Sequence, residues 1–347
     1  MGIAKSNSAT ALVAGGAGFL GGFMCERLIA EGWKVICLDN LHTGALSNLA
    51  ALRNEPRLSV IEADVRTPLP PGLKVERIYN LACPASPRHY QEDPVHTLMT
   101  SVIGMHNLLE CAKANGARLI QASTSEVYGD PAEHPQPESY WGNVNPTGIR
   151  ACYDEGKRAA ETLAFDYLRR HRVDVRVARI FNTYGPRMRP DDGRIVSNLV
   201  VQALARQPLT IYGTGEQTRS FCYVADLIDG LSRLIAIEAN PGMPINLGNP
   251  EEYTINELAG IVLDLVGVRV PLVHRPLPSD DPQCRRPVIA RAAAILGWEP
   301  TTPVREGLAA TVAWFAADRA GPAPLVMPRR KPDAGGRAVA APEGGRR

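Results

Sequence analysis

The sequence has no apolar run approaching the roughly 18 to 20 residues that cross a bilayer, no C-x-x-C pair, no internal repeat, and no block of like charge before its last residues. The first absence excludes a helical membrane protein. Seven cysteines, at positions 25, 37, 83, 111, 152, 222 and 284, are odd in number and widely scattered. That excludes a disulfide scaffold and points to reduced thiols in a cytoplasmic protein with no metal centre. Formal net charge is only +2, and residues 321–347 hold six basic against two acidic residues. The remainder, with 32 basic and 34 acidic residues, offers no nucleic-acid footprint. The first ten residues are short and polar, without a secretory apolar core. Met1-Gly2 with Ser6 meets the loose acylation pattern only as a chance match.

What is present is a chain of 347 residues, 45% hydrophobic and 21% charged, the profile of a soluble protein with a large core. Apolar strand-like runs lie at 11–13, 35–38, 58–61, 77–81, 118–121 and 175–180, with helical periodicity between them, clearest over 97–114 and 153–170. Alternating βα units with nearly continuous apolar strands predict an α/β fold, a Rossmann-type doubly wound parallel sheet. After Gly185-Pro186 the pattern loosens, with helices expected at 195–205, 224–237, 254–266 and 303–318. The expected organisation is a dinucleotide-binding domain over 10–185 and a smaller C-terminal substrate-binding domain over 186–320, segments of which are free to return to the first. Residues 321–347, rich in Pro, Gly, Ala and Arg without periodicity, read as a disordered basic tail.

Gly15-Gly16-Ala17-Gly18-Phe19-Leu20-Gly21 follows the first strand and opens the first helix. Gly15 permits a tight turn, Gly18 lets backbone approach a pyrophosphate, and Gly21 lets the helix pack closely on the sheet. Asp39 ends the next strand 18 residues after Gly21, where a carboxylate pairs with adenosine ribose hydroxyls and repels a 2'-phosphate. NAD is therefore expected over NADP. Asp64, after the third strand, is expected at the adenine amino group. Asn40, Thr43, Gly44, Val65, Leu81, Thr100, Thr183 and Arg194 complete the expected cofactor site.

Tyr153 and Lys157 are four apart in a helical segment and share a face. A tyrosine serves as a base near neutral pH only if its pKa is depressed, which an adjacent ammonium and a nicotinamide cation can do. Lys157 would also hold the nicotinamide ribose. Ser123-Thr124-Ser125-Glu126 ends the fifth strand, where doubly wound sheets place ligand-facing groups. Thr124 can hydrogen-bond the hydroxyl being oxidised, and Glu126 puts a carboxylate beside the ring.

From Ala11 to Phe315 the sequence resembles the UDP-glucuronate decarboxylases of the extended short-chain dehydrogenase/reductase superfamily. The resemblance is carried by the glycine string, Asp39-Asn40, Pro84-Ala85-Ser86-Pro87 with Tyr90, residues 123–131, Arg150-Ala151-Cys152-Tyr153-Asp154-Glu155-Gly156-Lys157-Arg158, residues 178–183, Asp281-Pro282-Gln283 and residues 296–300. It implies a bound NAD reduced and reoxidised within one turnover, conversion of UDP-glucuronate to UDP-xylose through a 4-keto sugar, and a homodimer built on the helices around 97–114 and 153–170. It carries the decarboxylation residues over to Glu126 and Arg285, with Arg286 as the fallback. It assigns the nucleotide to Asn182, Arg194, Asn198 and Arg219, adds Tyr212, and places Ser86 and Tyr90 near the sugar. Two positions depart from the pattern: Cys83 stands for the usual serine and Met99 for the usual lysine, which leaves a related acid sugar or relaxed specificity open. A 4-epimerase needs no carboxylate at Glu126, and a 4,6-dehydratase needs an acid where Ser125 stands. A catalytically silent NAD-binding regulator would have no use for Thr124, Tyr153 and Lys157 together.

Overall fold

The computed structural model describes residues 9–277 and 284–318; the basic tail and Asp281-Pro282-Gln283 lie outside them. Six strands, β1 (Thr10–Ala14), β2 (Lys34–Asp39), β3 (Leu58–Glu62), β4 (Arg77–Asn80), β5 (Arg118–Thr124) and β6 (Val175–Ile180), coincide with the six apolar runs. Four short strands follow, β7 (Thr183–Tyr184), β8 (Leu209–Tyr212), β9 (Thr218–Ser220) and β10 (Cys222–Tyr223), then β11 (Ile245–Leu247). The main sheet has seven strands in the order β11-β6-β5-β4-β1-β2-β3, and every pairing in it is parallel. The order reverses beside β1, the switch point at which doubly wound sheets bind ligands beyond their carboxyl ends.

Strand alternation sets the two faces. Ala11 and Val13 join a core with Leu28 of α1 (Phe19–Ala30), whereas Leu12 and Ala14 pack on the opposite face. That opposite face is covered, after the short helices α2 (Pro87–Tyr90) and α3 (Pro94–Met99), by Leu108 and Leu109 of α4 (Met105–Asn115) and by Ala160 and Ala164 of α5 (Ala151–His171). The expected single helix over 97–114 is broken by a π-helical turn at Thr100–Gly104. Thr100 Oγ1 donates to the His96 carbonyl at 2.8 Å. A Cβ at Gly104 would stand 2.7 Å from Val65 Cγ1, so the turn widens where the helix presses on the nucleotide side of the sheet.

The later helices, α6 (Ile195–Leu204), α7 (Val224–Ala236), α8 (Ile255–Val266) and α9 (Val304–Asp318), fall within a residue or so of the periodic segments. Thr254 and Glu257 form a reciprocal capping box at the start of α8, which fixes that boundary. Leu199, Leu258, Val262, Leu308 and Phe315 build a separate core for the second half. α7 does not join it: Leu227, Leu231 and Leu234 pack with α1 on the main sheet, next to β11. Trp298 locks this return, its Nε1–H donating to the Asp226 carbonyl at 2.9 Å.

Candidate active site

Two adjoining cavities open at the carboxyl ends of the strands. The first, about 160 Å³, is lined by Gly15, Gly18, Phe19, Leu20, Gly21, Asp39, Asn40, Thr43, Gly44, Val65, Leu81, Thr100 and Arg194. Gly15 has φ +76°, and a Cβ there would meet the Leu81 carbonyl at 2.7 Å. A Cβ on Gly21 would fall 2.0 Å from the Gly15 oxygen, so Gly21 admits the helix onto the glycine turn rather than onto the sheet. α1 has Gly18 as its N-cap, with no side-chain cap and no acidic residue in its first turn. Its free N–H groups and positive dipole end therefore remain available for phosphate.

Asp39 is buried, and its carboxylate accepts from the Ala17 N–H at 2.9 Å and the Leu41 N–H at 2.8 Å. Burial nevertheless holds its pKa above the ordinary value. Asp64 lies outside this lining, its carboxylate taken up by Arg66 at 2.8 Å and by Asn40 at 3.1 Å; its neighbour Val65 lines the cavity instead. The glycine cradle, the uncapped helix and the buried carboxylate are the donor and acceptor set that a dinucleotide requires.

The second cavity, about 660 Å³, is lined by Tyr90, Thr124, Glu126, Arg150, Tyr153, Lys157, Asn182, Thr183, Arg194, Asn198, Tyr212, Arg219 and Arg285. Ser86 lies on the nucleotide-cavity side of the boundary, with its hydroxyl 2.8 Å from His89 Nδ1. Tyr153 and Lys157 emerge from one face of α5, with the ammonium 5.6 Å from the Tyr153 ring centroid. Lys157 Nζ donates to the Ala122 carbonyl at 2.9 Å. The Thr124 side chain hydrogen-bonds Tyr153, yet burial and the neighbouring Cys83 push the Tyr153 pKa above its ordinary value. The expected depression is thus absent from the protein alone. Burial lowers the Lys157 pKa as well.

Glu126 is held from both sides: Arg150 Nη2 lies 3.0 Å from Oε2 and Arg285 Nη1 lies 3.2 Å from Oε1. Burial works to raise the Glu126 pKa, but Arg285, Arg150 and Arg219 together hold it below the ordinary carboxylate value. Arg285 is 2% exposed and also donates to the Gly129 carbonyl at 2.8 Å. Its backbone bridges Arg219, which places both cations on one wall. Arg286, the fallback, turns away toward Glu252 at 3.4 Å.

The model of the NAD dependent epimerase/dehydratase family matches residues 11–248. UDP-glucuronic acid decarboxylase 4 of Arabidopsis thaliana is 54% identical over 86% of this chain and 66% of its own length. UDP-glucuronic acid decarboxylase 3 of the same plant is 53% identical over 86% of both chains. The chain belongs to the UDP-glucuronate decarboxylases of this family. It spans just under two thirds of the first of these relatives. Danio rerio UDP-glucuronic acid decarboxylase 1 is 50% identical over 88% of the chain and 72% of its own length. Among solved structures, a dTDP-glucose 4,6-dehydratase from Streptomyces venezuelae with NAD bound superposes with a TM-score of 0.82 at 28% identity, covering 90% of this chain and 98% of that one. This decarboxylase-family chain is an enzyme, and NAD is its cofactor.

Several residues of the two cavities carry no signal of their own in the sequence. Arg150 was visible only as part of a string, because its partnership with Glu126 spans 24 positions. Segment 187–194 contributes Arg187, Arg189 and Asp192 as well as Arg194 to the lining of the first cavity. Arg187, at φ +69°, binds Glu26 at 2.8 Å and the Asn48 carbonyl at 3.2 Å, and lies 4.4 Å over the Phe23 ring. Arg194 pairs with Asp192. Met99 lines neither cavity and is 38% exposed, whereas Cys83 lines both, with its sulfur 3.4 Å from Ser101 Oγ.

Proposed function

We propose that this cleft converts UDP-glucuronate to UDP-xylose and carbon dioxide through a 4-keto sugar, with NAD regenerated in each turnover. The observation that carries the reading is Glu126 clamped between Arg150 and Arg285 at the wall of a cleft that also presents Tyr153. An oxidation and re-reduction at C4 alone has no need of two buried guanidinium groups. Bound NAD supplies a reversible hydride acceptor at C4. Tyr153 takes the proton of the 4-hydroxyl, Thr124 orients that hydroxyl, and Lys157 holds the nicotinamide ribose. Oxidation leaves the sugar carboxylate β to a ketone, so carbon dioxide departs as electrons flow into an enolate. Arg285 holds the acid and Glu126 serves the decarboxylation beside it, their contacts being charge-assisted and geometrically fixed. Asn182, Asn198, Arg219 and Tyr212 are assigned to the nucleotide, with Tyr90 at the sugar.

The same reading makes the protein a cytoplasmic homodimer. Seven free cysteines support a reducing compartment. Among the described residues no helix is long and apolar enough to cross a membrane. Val95, Met99 and Ile103, spaced by four along α3 and the π turn, are 65%, 38% and 40% exposed, an apolar stripe suited to a second copy. The deciding assay incubates the protein with UDP-glucuronate and follows carbon dioxide and UDP-xylose. Conversion to UDP-galacturonate without gas release would replace this reading with a 4-epimerase.

A further inference from the structure

Asp154 is unused by the chemistry above, yet it stands against the clamp. It occupies the first turn of α5, four residues after Arg150, with its N–H donating to the Arg150 carbonyl at 3.1 Å. Arg150 and Asp154 therefore share a face of the helix. Asp154 is 7% exposed, and among the described residues its Oδ1 is buried without a hydrogen-bond partner. The charged and titratable groups facing it are Glu126 from the turn after β5, Arg285 from the bridge to β9, Tyr90 from α2, and Arg150, Cys152 and Glu155 from its own helix or its N-terminus. Arg219 adds to the same field through Glu126. Asp154 does not line the cleft, so it acts on substrate only through its neighbours. A buried carboxyl oxygen left unpaired is costly unless the group carries a proton or has a task for one.

The reaction needs a proton at this place. Breaking the bond between C5 and the carboxylate releases neutral carbon dioxide and leaves its electron pair in the 4-enolate. One proton must then add to C5. The reaction thus consumes one proton per turnover, and the negative charge passes from the carboxylate to the enolate before that proton neutralises it.

We propose that Asp154 is a positioning residue that stores this proton, rests neutral while the substrate carboxylate occupies the arginine cluster, and yields the proton toward C5 by way of the Glu126 clamp when carbon dioxide leaves. The electrostatics set the timing. Loss of carbon dioxide moves the substrate's negative charge from the carboxylate to the 4-enolate oxygen, so Arg150, Arg219 and Arg285 lose the carboxylate they held, and the more positive field at the cluster makes Asp154 a stronger acid. Solvent restores its proton before the next turnover. Burial, then the neighbouring Glu126, raise the Asp154 pKa to about 7 against Arg150 and Arg285, so the store is filled below neutrality and emptied above it.

The proposal rests on the decarboxylase reading, and its test separates the two. Wild type and Asp154→Asn are compared by stopped-flow absorbance of bound NADH and by carbon dioxide and UDP-xylose formation across pH 5 to 9. Wild-type product formation should fall as pH rises through about 7. In Asp154→Asn that limb should vanish and product formation below pH 7 should drop about 100-fold, the low end of what a placed proton donor contributes. The bound NADH signal should persist, and Asp154→Glu should restore the limb. A wild-type profile in Asp154→Asn would overturn the proposal. So would an equal loss of NADH signal and product at every pH, with NAD binding or Tm reduced, which would mark Asp154 as structural only. A wild type that forms the NADH signal but never releases carbon dioxide would overturn the decarboxylase reading itself, and the proton store with it.

Discussion

The rings of Tyr90 and Tyr153 lie nearly parallel, 4.9 Å between centroids and 4° apart in plane. The stack packs one face of the Tyr153 ring, and the Tyr90 hydroxyl is buried without a hydrogen-bond partner among the described residues. Tyr90→Phe should therefore retain stability and the bound NADH signal while weakening substrate binding. Tyr90→Ala should lower Tm and slow oxidation at C4, since an aromatic pair contributes about 0.5 to 1.5 kcal/mol beyond the area it buries. Calorimetry and stopped-flow absorbance check both; an unaltered oxidation rate in Tyr90→Ala would show that the stack does not position Tyr153.

Because burial raises the Tyr153 pKa, the cofactor-free protein should show no tyrosinate absorbance from this residue near neutral pH. Addition of NAD, whose nicotinamide is cationic, should lower the pKa and shift the ultraviolet titration toward neutrality. Tyr153→Phe should abolish that shift and turnover while NAD binding remains largely intact. The wild type should turn over without net accumulation of NADH; stoichiometric NADH release would indicate an enzyme that stops at the ketone.

Asp39→Ala removes the carboxylate and orphans the N–H groups of Ala17 and Leu41. It should weaken NAD binding, narrow the preference over NADP, and cost about 1 to 3 kcal/mol of stability for each buried donor left unsatisfied. Titration calorimetry with each dinucleotide measures the preference, which would stay unchanged if Asp39 lay outside the ribose site.

Arg285→Ala should impair product formation more than oxidation at C4, through loss of charge-assisted contacts typically worth about 1.5 to 3 kcal/mol each. A transient NADH signal should survive while carbon dioxide release falls. Wild-type product rates in this variant would remove Arg285 from the chemistry.

Asp154 also links stability to pH. Its folded pKa of about 7 exceeds the roughly 3.9 of an unfolded aspartate. Between these values the native state binds more protons than the unfolded state, so this group's contribution declines as pH rises from 4 through 7. Asp154→Asn should lessen that decline, and denaturant titrations at pH 5 and pH 8 should show the variant gaining relative to wild type at the higher pH.

What the sequence made legible was local. Gly18 and Gly21 declare themselves because each satisfies a steric demand set within a few residues, Gly15 because its own left-handed backbone favours glycine, and Tyr153 and Lys157 because helical period places them together. The six strands of the nucleotide half are apolar on both faces and could be read as a buried parallel sheet. Arg150, Asp154 and Arg187 were obscure because their roles depend on contacts that chain order does not announce. Arg150 reaches back 24 residues to Glu126 and Arg187 reaches 161 to Glu26. The π turn at Thr100–Gly104 was hidden for a related reason: the crowding by Val65 that accompanies it arises only when strand and helix are brought together.

The return of β11 and α7 to the first sheet has a consequence for how the chain can be divided. β11 supplies the outer hydrogen-bonding partner of β6, and Leu227, Leu231 and Leu234 cover the apolar side of α1. A fragment cut after residue 185 would expose β6 as an open parallel edge beside an uncovered hydrophobic face, the combination that promotes edge-to-edge aggregation. Limited proteolysis should accordingly yield no autonomous amino-terminal piece that retains the dinucleotide. Mixing fragments 1–185 and 186–347 should instead restore the fold by complementation, with the second fragment acting as the template that closes the sheet.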